Sequence, residues 1–280
     1  MTYGDDRAAQ QPRDLLIVGA GGLARETAQA VAAINAAAGP TWRLLGFLDD
    51  DPALKGSFVD GVEVLGGSEL VHTHTQAAVV VCVAGPRGLF NRARLVQRLD
   101  LPEERYATIV HPSVDVSPSS TVGPGSVLFA QTVLTASVRV GAHVAVMPQV
   151  VLTHDVLVED FVTIASGVRL GGGTRLERGA YLGAGALIRE YVTVGAWSLV
   201  GMGSVVLRDV PTGEVWVGSP AGRLRATDVP ADLAAQPAAA AAEDLPDPTP
   251  AAAAPAAPSA GPRHRAVPAF RPPATERTEA

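Results

Sequence analysis

At 280 residues the chain has room for one large domain or two ordinary ones. A net charge of −6 with no cluster of Lys and Arg excludes the basic footprint that nucleic acid requires. No apolar run approaches the roughly 20 residues that span a bilayer, and the N-terminus carries no signal-peptide pattern. The single cysteine, Cys82, lies in the run AAVVVCVAG and reads as a small buried hydrophobe. One cysteine makes no internal disulfide, which fits a cytoplasmic protein.

In chain order, residues 1–13 read as a flexible N-terminus and residues 14–108 as a small α/β domain. Asp14 to Val18, then Gly19-Ala20-Gly21-Gly22-Leu23-Ala24, reads as strand, glycine-rich turn and helix. A second strand, Trp42 to Leu48, ends in Asp49-Asp50-Asp51. A third, Ala77 to Ala84, leads into Gly85-Pro86-Arg87 and another helix. GxGxxA followed by an acid is the dinucleotide fingerprint: glycines admit a phosphate to the backbone, the helix N-terminus stabilises its charge, and the acid meets a ribose hydroxyl. The motif is short, and its glycines serve equally well to shape a βα turn. Fewer than 100 residues hold only a partial Rossmann unit.

From Val110 a strict period of six takes over. Val110, Val116, Val122, Leu128, Leu134, Val140, Val146, Leu152, Val158, Ile164, Leu170, Leu176, Leu182, Ile188, Val194, Val200 and Val206 are seventeen aliphatic residues in step. The residue four later is small or β-branched every time, from Val114 to Val210. Neither the 3.6-residue period of a helix nor the 2-residue period of a strand accounts for this. A solenoid with three flat faces, one hexad per face, does. One aliphatic residue per face points into the prism, and the compact fifth residue sits near a corner. Glycines just after the aliphatic position, as at Gly123, Gly141 and Gly183, are expected to serve tight turns. The β-helix is assigned to residues 109–226. Beyond it, residues 227–280 are mostly Ala and Pro, with too little apolar surface to offset ordering entropy, and are expected to be disordered.

The repeat holds His111, His143 and His154. His111 opens the solenoid before Pro112 and reads as a surface or capping residue. His143 reads as an ordinary outward-facing side chain. His154 is third in its hexad, where side chains project outward near a corner.

The hexad pattern together with the front segment resembles the PglD/NeuD/VioB-type sugar O- and N-acetyltransferases of the hexapeptide-repeat superfamily, over roughly residues 14–225. The resemblance implies a Rossmann-like domain for a sugar or nucleotide-sugar acceptor, followed by a left-handed β-helix that uses acetyl-CoA as donor and no metal. It also implies a homotrimer. Gly21, Gly22 and Leu23 would lie at the acceptor's nucleotide, Asp49 and Asp50 at its base or ribose, and Gly85 at the sugar-phosphate end. Leu23 stands where several members have His. His154 in Leu152-Thr153-His154-Asp155 matches the family's general-base hexad, with Asp155 as the carboxylate that orients the ring. Imidazole suits the task because its proton exchange falls near neutrality. Thr163, Gly172, Ala184 and Met202 would contact coenzyme A. Met147 and Thr163 depart from residues that relatives often carry. Val215-Trp-Val-Gly-Ser-Pro-Ala-Gly-Arg223 matches the family's end piece, and Arg223 and Arg225 read as solvated charges.

Three rivals stand beside this reading. A zinc enzyme on the same β-helix needs converging histidines, but Glu159 and Ala136 occupy the positions where its ligands would fall. A non-catalytic trimeric scaffold needs only the β-helix. An NAD-binding regulatory module would use the GxGxxA turn and Asp49.

Overall fold

The computed structural model describes residues 11–86 and 88–234; most of the segment expected to be disordered lies outside them. β1 (Arg13–Val18) leads through Gly19 into α1 (Gly22–Ala38), and β2 (Trp42–Leu48) returns parallel to β1. A short hairpin, β3 (Phe58–Val59) and β4 (Val62–Gly66), follows, and then β5 (Ala78–Val81) and α2 (Asn91–Leu99). The sheet order is β3-β4-β2-β1-β5, parallel apart from the β3–β4 hairpin. This is the half-Rossmann unit that the length allowed. Between the two inner parallel strands the chain crosses from one side of β1 to the other, which opens a crevice at their C-terminal ends. Leu15, Leu16, Ile17, Val79 and Val80 are fully buried, as a sheet covered on both faces requires.

From Ile109 the chain winds as a left-handed parallel β-helix. Two-residue strands stack at a spacing of 18 residues, as in Val133↔Val151↔Arg169↔Leu187↔Val205. Each coil is therefore three hexads. The aliphatic positions form one continuous core, and the fifth residues join it: Val138, Val144, Val150, Val156 and Val162 are as buried as Leu152 or Ile164. Two residues per hexad point inward, not one. Where the fifth residue is Ser, its hydroxyl serves the ladder; Ser126 Oγ donates to Gly141 O at 2.8 Å and accepts from Val144 N at 2.9 Å.

The turn geometry corrects a second expectation. Positive φ falls at the fourth residue of the hexad, occupied by Gln131, Ser137, His143, Gln149, Asp155, Phe161, Tyr191 and Trp197 as well as by glycines. The glycines after the aliphatic position serve close approach instead: a Cβ on Gly123 would stand 2.6 Å from the Gly141 carbonyl in the next coil. At the fourth position, rings lean back over the preceding coil. A Cβ on Gly125 would strike the His143 ring, and one on Gly179 the Trp197 ring.

The front domain sits against one face and one corner of the solenoid. Ala24, Ala28 and Val31 of α1 share a cluster with Ile109, Val127 and Phe129. Ala93 of α2 and Phe90 just before it pack with Phe161 and Trp197 at the corner. Arg92, fully buried in α2, donates from Nη2 to Phe161 O at 2.7 Å, Val162 O at 3.0 Å and Thr163 Oγ1 at 2.8 Å. Burial pushes its pKa down to about 10, so it remains a cation at neutral pH. The solenoid ends in a hairpin, Glu214–Gly218 and Ala221–Ala226, in which Arg223 pairs with Glu214. Packing continues past residue 226, where Val229 and buried Leu233 rest on the Trp197 cluster.

Candidate active site

His154 and Asp155 project from the corner between the face carrying Val151–Leu152 and the face carrying Leu157–Val158. Both side chains are more than half exposed. Neighbouring side chains on a strand diverge, but Asp155 has φ +60° and lies in the turn. Its carboxylate swings back to meet His154 Nδ1 at 2.8 Å. With Nδ1 held there, Nε2 is the nitrogen left for chemistry. The ring lies forward over the next coil, where a Cβ on Gly172 would stand 2.4 Å from Cε1 and Nε2. Only glycine at 172 lets the imidazole take this position. An exposed imidazole braced by a carboxylate is equipped to take a proton from an amine or hydroxyl.

The other two histidines differ. At His111, Nδ1 accepts from Ser113 N at 3.1 Å, closing a turn at the solenoid's first corner. His143 lies at a corner of the solenoid that the front domain covers. It is 6% exposed, stacks on Phe161 at 5.2 Å and meets Tyr106 edge-on at 4.5 Å. Burial, with Arg92 and Arg178 nearby, pushes its pKa down to about 4.

The second candidate region is the crevice at the ends of β1 and β2, a cavity of about 450 Å³ lined by Gly19, Asp49, Asp50, Ser68, Asn91 and Arg98 among others. Gly19, at φ +107°, is the glycine that the turn itself requires; its Cβ would stand 2.8 Å from Cys82 O. Gly21 caps α1 and Gly22 begins it, and a Cβ on either would meet open space. Leu23 packs into the apolar cluster beneath α1. Asp49 braces the loops: its oxygens accept from Ala20 N at 2.9 Å and Asp51 N at 3.0 Å. Asp50 accepts from Ser68 N at 2.8 Å and pairs with Arg98. Against the burial that raises it, those partners hold its carboxyl below the ordinary value. Gly85 lines an adjoining depression that shares Val83 and Asn91 with the crevice.

Residues 14–87 match the PglD N-terminal domain family. No curated protein sequence matches the chain. Among solved structures, the acetyltransferase domain of PglB from Neisseria gonorrhoeae, in complex with acetyl coenzyme A, is 30% identical with a TM-score of 0.66; the match covers 76% of this chain and 100% of that one. The chain belongs to the sugar acetyltransferases of the hexapeptide-repeat type. GDP-perosamine N-acetyltransferase from Caulobacter crescentus, solved as a histidine-to-alanine variant in complex with CoA and GDP-perosamine, is 26% identical over 75% of this chain and 96% of that one, with a TM-score of 0.63. WeeI from Acinetobacter baumannii shares the fold at 22% identity and a TM-score of 0.51, over 76% of this chain and 100% of that one.

In this acetyltransferase the four residues expected at coenzyme A fall in three places. Gly172 lies under His154. Ala184 and Met202 are exposed together on a different corner, joined by Gly203 N donating to Ala184 O at 2.8 Å. A whole face of the prism separates that corner from His154. Thr163 is on the covered face, its hydroxyl taken by Arg92. The sequence reading passed over Asn91, Arg94 and Arg98, which line the crevice from one side of α2. Their spacing of three and four residues was the available signal. Among the described residues, no group of three or more His, Cys, Asp and Glu side chains is placed to hold a metal ion, and no helix is long and apolar enough to cross a membrane.

Proposed function

We propose that this acetyltransferase moves an acetyl group from acetyl-CoA to an amine or hydroxyl of a nucleotide-linked sugar, with His154 as general base. The observation that carries the reading is the His154 Nδ1–Asp155 Oδ2 bond of 2.8 Å, which leaves Nε2 free above Gly172. Acetyl-CoA, when bound, supplies an activated thioester. His154 Nε2 takes the proton from the acceptor as its nitrogen or oxygen attacks the thioester carbonyl, and Asp155 orients the ring and stabilises the imidazolium. The carbon–sulfur bond then breaks, with the proton passing to the departing coenzyme A thiolate. The crevice of the front domain takes the nucleotide. Asp50, Ser68 and Arg98 there present polar groups to it, and Arg94, which pairs with Asp232 at the exposed edge, adds a cation beside its phosphates. Asp49 belongs to the scaffold of that crevice.

Support for donor and acceptor comes from the relatives, one crystallised with acetyl coenzyme A and another with CoA and GDP-perosamine. Gly172 lies beneath the His154 ring, whereas Ala184 and Met202 are exposed and suit a donor that lies along backbone. Thr163 does not, since Arg92 already occupies it. The separation of Gly172 from Ala184 and Met202 favours a homotrimer in which a second copy supplies the missing wall. One face of the solenoid would suit such packing: outward-facing Val133, Val151, Leu187 and Val205 form an apolar ladder interrupted by Arg169. We place the reaction in the cytoplasm, in keeping with a lone buried cysteine and acetyl-CoA as donor.

The test is an acetyl-CoA consumption screen over UDP-, GDP- and dTDP-linked amino sugars, run with wild type and His154→Ala. Turnover with at least one acceptor, abolished in the variant, is the expected result. Undiminished transfer by His154→Ala overturns the assignment of the base. Tight NAD binding without coenzyme A binding overturns the reading as a whole.

A further inference from the structure

Tyr191 is an exposed aromatic residue, 60% accessible, on the same corner as His154. It stands at the fourth position of its hexad, with φ +59°, two coils beyond Asp155 in the column Asp155–Gly173–Tyr191. Like His143 and Trp197, it leans back over the preceding coil: a Cβ on Gly173 would stand 2.5 Å from Tyr191 Cδ1 and 2.7 Å from Cε1. His154 leans the other way, over Gly172. The two rings therefore close on adjacent residues of one dipeptide from opposite sides. Neither Gly172 nor Gly173 accepts a side chain there, so the dipeptide forms the bare floor of a notch, with His154 as one wall and Tyr191 as the other.

The two other fourth-position rings that lean over a glycine, His143 and Trp197, are covered by the front domain and are almost fully buried. Packing explains them. Nothing among the described residues covers Tyr191 or hydrogen-bonds to its hydroxyl. It also stands over the residue next to the one beneath His154 Nε2, the nitrogen left free because Nδ1 is engaged by Asp155.

We infer that the Tyr191 ring is the platform for the acceptor's sugar ring and a determinant of acceptor specificity. The inference rests on the reading of His154 as base. A nucleophile that gives its proton to Nε2 must enter the notch, and the ring bearing it then lies beside Tyr191. A pyranose offers a face of C–H groups with hydroxyls around the rim. Such a face suits a flat aromatic wall, which contributes contact area without demanding a hydrogen bond. The contact is with the ring face, and the phenol oxygen is dispensable.

The test compares Tyr191→Ala and Tyr191→Phe with wild type, using the best acceptor from the screen above and measuring KM for acceptor and for acetyl-CoA separately. For Tyr191→Ala, acceptor KM is expected to rise about three- to tenfold, the size of one aromatic contact. Acetyl-CoA KM is expected to stay unchanged and Tyr191→Phe to behave as wild type. An unchanged acceptor KM overturns the inference, as does an equal loss in both variants, which would mark the hydroxyl as the active part. A rise in acetyl-CoA KM instead assigns the ring to the donor and also overturns it. His154→Ala keeps the two claims apart: if transfer dies with His154 but ignores Tyr191, only the platform fails. If wild type acetylates no nucleotide-linked sugar, the functional reading fails and takes the platform with it.

Discussion

Two corners of one solenoid carry a histidine each, and they have opposite fates. His154 takes the third position of its hexad and His143 the fourth position of a hexad two earlier, both at turns of the same repeat. At the His154 corner nothing among the described residues covers the ring, a carboxylate meets Nδ1, and Nε2 stays open. At the His143 corner α2, Tyr106 and Phe161 enclose the ring, and burial with Arg92 and Arg178 disfavours its cation. The hexapeptide repeat supplies position. What docks on the outside decides whether a position becomes a site or a seam.

That contrast can be broken most directly at the open corner. His154→Ala should lower acetyl transfer by about 10²–10⁴-fold, the usual worth of a general base. Its melting temperature should match wild type, because the side chain is exposed. A matching loss of stability would place His154 among structural residues.

The covered corner should respond to acid rather than to assay. His143 titrates at its ordinary 6.5 when unfolded and at about 4 in the fold, so between these values the unfolded chain binds more protons. Its contribution is therefore complete above pH 6.5 and is lost as pH falls towards 4, roughly 3 kcal/mol in all. Urea midpoints at pH 7.5 and 4.5 measure this. His143→Phe should flatten the difference by that amount, and an unchanged slope would show that the ring stays wet.

Arg92 joins the front domain to the covered corner. Arg92→Ala strands the Phe161 carbonyl and frees Thr163, and should cost about 2–3 kcal/mol in a denaturant titration. The smallest effect is expected at Gly172→Ala. There the new methyl displaces the His154 ring, and kcat should fall about tenfold with little change in stability.

The same contrast explains what was legible in advance. Period six set the register, and register alone placed His154 outward at a corner. It could not pair the ring with Asp155, because that bond depends on the left-handed turn at the fourth position rather than on strand alternation. Nor could it distinguish His143 from His154, since a repeat records what points inward and says nothing of what lands on its surface. The coupling of Thr163 to Arg92 is of this kind, joining residues 71 apart through the docking of a helix. In the front domain the glycine-rich turn was readable, but its demanding position proved to be Gly19. Asp49 follows β2 and lines the crevice as its place in the sequence suggested, but that its oxygens also tie two loops together was not legible there.

Coils of 18 residues also limit how this molecule can change in length. Gain or loss of one whole coil slides everything beyond it along the axis and leaves each residue on its own face. Gain or loss of a single hexad instead carries every later residue around to the next face. Inserted between Asp155 and Gly172, it would take the glycine floor and Tyr191 away from His154 while leaving the aliphatic core in perfect step. Such a chain would fold and fail to react, so the solenoid's length is quantised more coarsely by its chemistry than by its stability.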